Sequence, residues 1–419
     1  MLDIKFIREN PEIIKNSCQK RGIKCDVEKL LKTDEERRKL MAKIENISAE
    51  KNRASKEIAK ASDKDKRKII AGTKKIDKKG DKLKEDLEKI EEKFNELMLI
   101  IPNIIFEGVP EGKDDSQNVV LEKVGEPTRF DFSVKDYMQL AEKLDLIDTE
   151  RAAKIAGSRF GILKKEAVLL EFALINFAFE VLIKKGFIPI VPPVIIKPEM
   201  AWAMGYLEQT NKDEAYHLAQ DDLYLIATAE QSLGTMRAKE ILKEEELPLR
   251  YVGFSTCFRR EAGSYGKDTK GILRVHQFDK IEMFSFVEPE NSLKEHEFLL
   301  GVEKEMMNAL KLPYQVVHNC SGDLGNPAAE KFDIETWFPS ENRYRETHSV
   351  SNCTDFQARR LNTRYKKKDG RLEFVHTLNG TAFAIGRTLI AIIENYQQKD
   401  GSVKIPEVLQ KYAGFEVIK

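Results

Sequence analysis

FSTCFRREAGSYGKDTKGILRVHQFDKIEMFSF, residues 254 to 286, is the stretch that decides the fold. Both of its ends are rich in strand-forming residues, and its middle, from Gly263 to Gly271, has the Gly, Lys, Asp, Ser and Thr content of a loop. The stretch therefore predicts a long β-hairpin with a charged tip.

One face of each predicted strand is charged, because residues two apart share a face. The first strand carries Arg259 and Glu261 on one face, and the second carries Arg274, His276, Phe278, Lys280 and Glu282. Such a face can hold a polyanionic ligand that also has a flat base and an amine. Alternation alone slightly favours the other interpretation, cross-strand ion pairs on a solvated surface.

The composition limits the classes of function. At 419 residues and 41% hydrophobic content, the chain can form two or three domains with sizeable cores. Its 70 Lys and Arg balance 70 Asp and Glu, so any affinity for nucleic acid must come from a local basic patch. Five scattered cysteines without a CxxC pair argue against both a disulfide framework and a zinc site.

The N-terminus and the apolar segments predict a soluble, cytoplasmic protein. The opening residues MLDIKFIREN are charged from the third position and have no apolar core, unlike a signal peptide. The longest apolar run, residues 167–183, is interrupted by Glu171, Asn176 and Glu180, so we expect no membrane span.

The N-terminal part predicts an antiparallel coiled-coil hairpin over about residues 27–100. Apolar residues recur in alternating steps of three and four on both sides of a polar break at residues 62–65. The predicted seam positions are Leu40, Ile44, Ile47, Lys51, Ala54, Ile58 and Ala61, followed by Ile69, Ile76, Leu83, Leu87, Ile90, Phe94 and Leu97. Between Lys51 and Lys84 there are 14 Lys or Arg against 5 Asp or Glu, which suits binding along a nucleic-acid backbone, although a solvated helix surface is the commoner case.

A linker rich in Pro, Gly and acids at residues 108–115 places a domain boundary near residue 105. We expect a helical arm at 1–105 and a second domain at 106–419, whose hairpin-linked strands predict an antiparallel sheet flanked by helices, an α+β architecture. The apolar strand after Gly186 contains prolines and should lie at a sheet edge or an interface. Ser292 and Glu295 predict a capping box for the helix that they begin.

No phosphate-binding GxxxxGK[ST] loop and no GxGxxG fingerprint is present in the sequence. Arginines at predicted strand positions and at a helix start stand in their place: Arg259, Arg274 and Arg387. The arginine fork binds two phosphate oxygens and stays charged at any working pH.

The order of these parts is similar to that of the seryl-tRNA synthetases of bacterial type, which are class II aminoacyl-tRNA synthetases. The resemblance covers essentially the whole chain. It rests on residues 186–193, on 258–261 with 274–282, and on 380–387, which look like the three motifs of the class, with Thr228-Ala229-Glu230 and Glu346-Thr347-His348-Ser349 between them.

The resemblance implies a role for each position. An ATP site is implied at Arg259, Arg260, Glu261, Arg274, Val275, Phe278, Glu346, Thr347, His348, Ser349 and Arg387, with Arg259, Arg274 and Arg387 acting in catalysis. A serine site is implied at Thr228, Ala229, Glu230, Arg259, Glu282, Asn379 and Thr381. Glu346 and Ser349 are expected to hold Mg²⁺, and no zinc is expected. For tRNA we expect contacts from Arg53, Lys56, Lys60, Lys74, Lys75 and Lys78, and from the hairpin tip around Tyr265.

The function implied is the ATP-dependent ligation of serine to tRNA(Ser), and also to tRNA(Sec), through a seryl-adenylate, by a homodimer. An amino acid:carrier protein ligase with the same catalytic fold is the alternative, and the basic helical arm argues against it. A coiled-coil scaffold whose catalytic domain has lost activity is disfavoured, because the expected arginines and carboxylates are all in place.

Overall fold

The computed structural model describes residues 1–58, 62–207, 212–262 and 270–419. These residues form two compact units, Leu2–Pro102 and Asn103–Lys419, the second including Met1. The tip of the central hairpin, with Tyr265, lies outside the described residues. Of the helices that the structure describes, none has both the length and the apolar character needed to cross a membrane.

The helices follow in chain order as α1 (Ile4–Glu9), α2 (Pro11–Lys20), α3 (Val27–Ile58), α4 (Asp63–Ile100), α5 (Tyr137–Leu144), α6 (Thr149–Ala156), α7 (Glu166–Lys184), α8 (Pro198–Ala203), α9 (Ala229–Thr235), α10 (Ser292–Leu310), α11 (Phe356–Leu361), α12 (Ile385–Asn395) and α13 (Glu407–Ala413). The strands are β1 (Val119–Val124), β2 (Ile147–Asp148), β3 (Ile162–Leu163), β4 (Ile188–Ile190), β5 (Ile195–Ile196), β6 (His217–Leu218), β7 (Leu223–Leu225), β8 (Ile241–Lys243), β9 (Leu249–Phe258), β10 (Gln277–Val287), β11 (Tyr314–His318), β12 (Glu330–Phe338), β13 (Arg343–Asn352), β14 (Arg364–Lys366), β15 (Leu372–Phe374), β16 (His376–Ala384), β17 (Val403–Lys404) and β18 (Val417–Ile418).

In the first unit, α3 and α4 pack against each other in antiparallel orientation. The Arg37 guanidinium near the start of α3 lies 4.4 Å from the ring centre of Phe94 near the end of α4. Farther along, Gly80 faces Ile47 so closely that a Cβ at Gly80 would lie 3.3 Å from Ile47 Cγ2. Ile47 and Phe94 are both buried seam residues, as their spacing predicts. The predicted seam position Ala61 lies outside the described residues.

A disulfide between Cys18 and Cys25 lies within the first unit, with the two Cα atoms 6.4 Å apart. The sequence-based expectation was wrong for this pair. Nothing in the cysteine spacing showed that the turn after α2 brings these two side chains together. The other cysteines, Cys257, Cys320 and Cys353, are buried free thiols.

The second unit is built on one large sheet with the strand order β1-β11-β12-β13-β16-β10-β9-β4. Neighbouring strands are antiparallel except β4, which runs parallel to β9. The predicted α+β architecture is confirmed, and the proline-containing strand β4 does lie at a sheet edge.

The central strand β10 has apolar side chains on both faces of the sheet. Ile281 and Met283 pack into the larger core, with residues of α7, α10 and α12. Phe284 and Phe286 point the other way and pack with residues of α9 and α11. Each fully buried aromatic ring of this kind contributes about 1.5–3 kcal/mol to stability. The second face also carries Phe278, Lys280 and Glu282, which continue the same alternation towards the start of β10.

Besides a β-bulge at Leu121 of β1, two β-bulges interrupt the ladder of the large sheet nearer the cavity. One lies in β16, with Ala382 as the extra residue, and the other lies in β13, with Thr347 as the extra residue. A bulge changes which face the following side chains take. As a result Thr381 and Ala384, although three residues apart, both line the same cavity.

The predicted capping box at the start of α10 is absent. The N-cap residue is Asn291, it makes no side-chain cap bond, and Ser292 is already helical. The Ser292 hydroxyl instead donates to Asn352 Oδ1 at 3.1 Å, and Glu295 accepts two bonds of 2.6 Å from Arg250. Tertiary partners therefore took both side chains away from the helix end.

Candidate active site

A cavity of about 250 Å³ opens on the second face of the large sheet, where β10, β13 and β16 reach the start of α12. Its walls carry both signs of charge and one aromatic ring. The lining residues are Arg259, Glu261, Ile272, Leu273, Arg274, Val275, Phe278, Lys280, Lys331, Glu346, Thr347, Ser349, Thr381, Ala384, Gly386 and Arg387.

The predicted hairpin is present, but its strands end earlier than the sequence suggested. The ladder closes with Phe258 opposite Gln277, so Arg259, Glu261 and Arg274 lie on the segments beyond the strands. Glu261 has φ +54°, in the left-handed region that a strand residue cannot adopt. This turn of the backbone brings Glu261 Oε2 to 3.6 Å from Arg274 Nη1 at the cavity wall.

Arg259 is held between the cavity and the loop before α9. Its Nε donates to the Ala227 carbonyl at 3.3 Å, and its guanidinium carbon lies 5.2 Å from the ring centre of Phe278. A cation over an aromatic face is stabilised by the ring electrons. The guanidinium is thus fixed in position, and among the described residues it forms no ion pair with a carboxylate that would compete for an anionic ligand.

Arg387 lies in the first turn of α12, as the change from strand to helix after Gly380 predicts. Its Nη1 donates to the Glu346 carbonyl at 2.9 Å and lies 3.5 Å from Glu346 Oε2. The Glu346 side chain is half exposed, so burial, which would raise its pKa, is outweighed by Arg387, Lys331 and Arg259, and the pKa falls to about 2. Glu346 is therefore an ionised carboxylate at the edge of a cationic cavity.

Next to the arginines, Thr381 at the cavity wall and the buried Glu282 form a polar pair. Thr381 Oγ1 donates to Glu282 Oε1 at 3.3 Å, and the Lys280 ammonium pairs with the same oxygen. Glu282 is buried, with 2% of its surface exposed. A carboxylate and a hydroxyl side by side can bind an ammonium group and a hydroxyl group of one ligand.

Glu230 lies behind Glu282 and Thr381, among hydrogen-bond donors. Its carboxylate accepts from the Tyr206 hydroxyl at 2.8 Å, from Gln357 Nε2 at 3.1 Å and from Asn379 Nδ2 at 3.0 Å. Burial, with a smaller effect of the charge on Glu282, raises its pKa above the usual value. Thr228 is the N-cap of α9, and its side chain accepts from the Glu230 amide.

Several of the predicted site residues are absent from the cavity lining. Thr228, Ala229, Glu230, Glu282 and Asn379 are buried behind it, and Arg260 packs with its guanidinium carbon 5.3 Å from the ring centre of Tyr216. His348 points to the other side of the sheet, 5.6 Å from the Phe383 ring, where burial lowers its pKa to about 3.

Two lysines that line the cavity had no role in the site that the family resemblance implies. Lys280 shares the alternation of Phe278 and Glu282, so strand periodicity already places it on the predicted charged face. Lys331 lies on β12, 3.1 Å from Asp333 Oδ2, and only the strand order of the sheet brings it near Arg387.

On the arm, Arg53, Lys56, Lys74 and Lys78 are exposed. Lys60 lies outside the described residues, as does the side chain of Lys75.

Comparison with known proteins supports the family resemblance over the full length of the chain. A family model described as the seryl-tRNA synthetase N-terminal domain matches residues 1–105, and one described as the tRNA synthetase class II core domain (G, H, P, S and T) matches residues 214–396. The serine–tRNA ligase of Thermodesulfovibrio yellowstonii is 45% identical over 425 residues, covering 100% of both chains.

Solved structures agree as well. The seryl-tRNA synthetase of Pyrococcus horikoshii, in a crystal structure with ATP, is 42% identical with a TM-score of 0.91 and covers 100% of this chain and 99% of its own. The cytoplasmic serine–tRNA ligase of Naegleria fowleri, in complex with AMP, is 36% identical with a TM-score of 0.87 over 100% of this chain and 99% of its own.

Proposed function

Because the chain belongs to the seryl-tRNA synthetase family, we propose that its cationic cavity activates L-serine with ATP and transfers the seryl group to tRNA. The enzyme is a serine–tRNA ligase. In the first step the serine carboxylate attacks the α-phosphate of ATP, which forms seryl-adenylate and releases pyrophosphate. In the second step a hydroxyl of the terminal adenosine of tRNA attacks the seryl carbonyl, which releases AMP.

The observation that carries this proposal is an arginine-lined cavity with a carboxylate–hydroxyl pair beside it. The cavity suits a triphosphate, and Thr381 at its wall with the buried Glu282 suits an amino acid with a hydroxyl. Serine's carboxylate is already a nucleophile, so the first step needs no general base. Positioning and charge neutralisation supply the catalysis.

For the ATP site, we propose that Arg259 bridges the α-phosphate and the serine carboxylate. Arg274 holds the β- and γ-phosphates, and Phe278 and Arg387 cover the two faces of adenine. Glu261 and the backbone of Val275 bind the adenine edge. All six residues line the one cavity, which supports the assignment. Thr347 also lines this cavity.

For the serine site, Glu282 binds the ammonium group and Thr381 the hydroxyl. Glu230, Asn379 and Thr228 lie behind these two side chains, and their hydrogen bonds run among themselves and to Tyr206 and Gln357. A site built to hydrogen-bond a hydroxyl rejects the analogue without it by roughly 10⁴-fold. Alanine should therefore be rejected more easily than threonine or cysteine.

Mg²⁺ is the metal that this chemistry implies, and Glu346 and Ser349 fit it. Both line the cavity, and Glu346 is ionised. Among the described residues no group of three or more His, Cys, Asp or Glu side chains could hold a metal, which agrees with an ion bound mainly by phosphate and water oxygens. When bound, Mg²⁺ neutralises charge on the phosphates.

The arm binds the substrate tRNA in this proposal. The exposed Arg53, Lys56, Lys74 and Lys78 give its outer part the charge to follow a phosphate backbone. The acceptors are tRNA(Ser) and, as in many members of the family, tRNA(Sec). We propose a cytoplasmic location for the enzyme, because tRNA is charged where translation takes place.

We also propose that the enzyme is a homodimer. Apolar side chains are exposed on α7 and around the edge strand β4: Leu169 at 50%, Phe172 at 56%, Ile188 at 45% and Val191 at 81%. Such a cluster indicates an interface.

Light scattering should give the wild-type enzyme twice its 48.1 kDa chain mass. Phe172→Asp places a charge in that cluster and should give the mass of the monomer. Leu372→Asp, on the exposed strand β15, should stay dimeric, and a monomeric wild type would contradict the proposal.

The function itself is tested by ATP–pyrophosphate exchange with a panel of amino acids, followed by charging of total tRNA. We expect exchange with serine above all others, and seryl-tRNA as the product. Exchange without charging would favour the carrier protein ligase, and no exchange would leave only the scaffold.

A further inference from the structure

Lys280 lies at the wall of the ATP cavity, beside the buried Glu282 of the proposed serine site. It alternates with Phe278 and Glu282 along β10, so the three side chains share one face of the sheet. Its side chain lines the cavity and is only 11% exposed, and the side chain of its partner Glu282 is 3% exposed. An ion pair this deeply buried costs desolvation energy, so it must be offset by good geometry or serve a function.

The two oxygens of Glu282 have different surroundings. Oε1 pairs with the Lys280 ammonium and accepts from Thr381 Oγ1. Oε2 is buried as well, and among the described residues it has no hydrogen-bond partner. One oxygen is therefore held by the protein, and the other is a buried acceptor that no described group of the protein satisfies.

The neighbourhood of Lys280 is mostly acidic. The titratable groups whose charges interact with Lys280 are Glu230 on α9, Cys257 on β9, Glu303 on α10, and Glu346 and His348 on β13. Burial, together with the charge on Glu282, raises the pKa of Glu303 well above its usual value. Lys280 thus supplies a positive charge among the carboxyl groups that surround Glu282.

We propose that Lys280 is a positioning residue of the serine site, whose ammonium holds one oxygen of Glu282 and so presents the other oxygen to the ammonium group of serine. The inference rests on the proposed activation of serine. A lysine that merely filled the place of the substrate would have to be displaced by serine. The unsatisfied Oε2 argues against displacement, because it leaves an acceptor for a second ammonium group beside that of Lys280.

The test is Lys280→Met, which keeps the length of the side chain and removes its charge. Without Lys280, the buried Glu282 loses the cation that holds Oε1 in place. Its carboxylate can then turn away, so it binds an ammonium group less tightly. In ATP–pyrophosphate exchange we expect the KM for serine to rise about 30-fold, the size expected when a buried polar group loses its partner. The KM for ATP should stay within about threefold, which also shows that the variant is folded.

An analogue separates this role from a general disturbance of the pocket. In 3-hydroxypropionate the amino group of serine is replaced by hydrogen, so its inhibition constant does not depend on Glu282. The preference of the wild type for serine over this analogue should shrink about tenfold or more in Lys280→Met. A disturbed pocket would weaken both ligands alike, and that result would overturn the proposal.

Two further variants serve as matched controls. Lys280→Arg keeps the charge and should restore most of the affinity for serine. Glu303→Gln puts a neutral side chain of the same shape in place of a buried acid on α10 that does not line the cavity, so the KM for serine should change less than threefold. An unchanged or lower KM for serine in Lys280→Met would show that Lys280 does not position Glu282. Absence of serine-dependent exchange in the wild type would instead overturn the proposed function.

Discussion

Arg259→Ala should lower the rate of serine-dependent ATP–pyrophosphate exchange by about 10²- to 10³-fold, the loss typical of one preorganised electrostatic donor. The guanidinium is fixed by the Ala227 carbonyl and by the Phe278 ring, and it reaches the cavity from the end of β9. In the proposed mechanism it contacts both reacting groups, so alanine removes stabilisation that water cannot replace. The effect should fall mainly on kcat, because the arginine stabilises the negative charge on the oxygens of the α-phosphate most strongly in the transition state.

Two variants make this result interpretable. Arg259→Lys keeps the charge but loses the fork that binds two oxygens, so its rate should lie between wild type and alanine. Arg151→Ala removes an arginine whose side chain is 72% exposed and should leave the exchange rate unchanged. Normal exchange in Arg259→Ala would show that another group activates the α-phosphate.

Replacing residues 46–80 with a short turn should abolish tRNA charging and leave serine activation intact. Ile47 and Gly80 face each other across the two helices, so the cut ends are adjacent and a short turn can join them. None of the removed residues lines the ATP cavity. A chain that loses most of its basic arm loses its phosphate contacts, and six or more such contacts are worth about 10³-fold or more in affinity at moderate salt.

A charge-reversal variant tests the same idea with the helices intact. Changing Arg53, Lys56, Lys74 and Lys78 to Glu should raise the KM for tRNA and reduce its dependence on salt, while the KM for serine stays constant. If truncation and charge reversal both left charging unchanged, the arm would be a structural element only.

The sequence predicted the architecture well because the relevant signals are local. The heptad spacing around Ile47 and Phe94 determines a helical hairpin, and the alternation around Glu282 determines a central strand. The prolines after Gly186 correctly predicted an edge strand, since a strand inside the sheet needs every amide donor.

Features that depend on tertiary partners escaped prediction. Glu295 left its expected capping role because Arg250 offers two charge-assisted hydrogen bonds. Lys331 joins the cavity through the order of strands, which no local pattern encodes. Glu230 carries the motif of a substrate ligand, yet Tyr206, Gln357 and Asn379 already surround it.

The two bulges, at Ala382 and Thr347, set limits on how the length of this chain can vary. Each acts as a phase shift: beyond it, every side chain takes the face opposite to that of an uninterrupted strand. Loss of one residue between Thr381 and Arg387 would turn the start of α12 by about 100° and carry the Arg387 guanidinium away from the cavity. Homologous chains should therefore accept substitutions in these segments far more readily than insertions or deletions, although the segments read as ordinary strands.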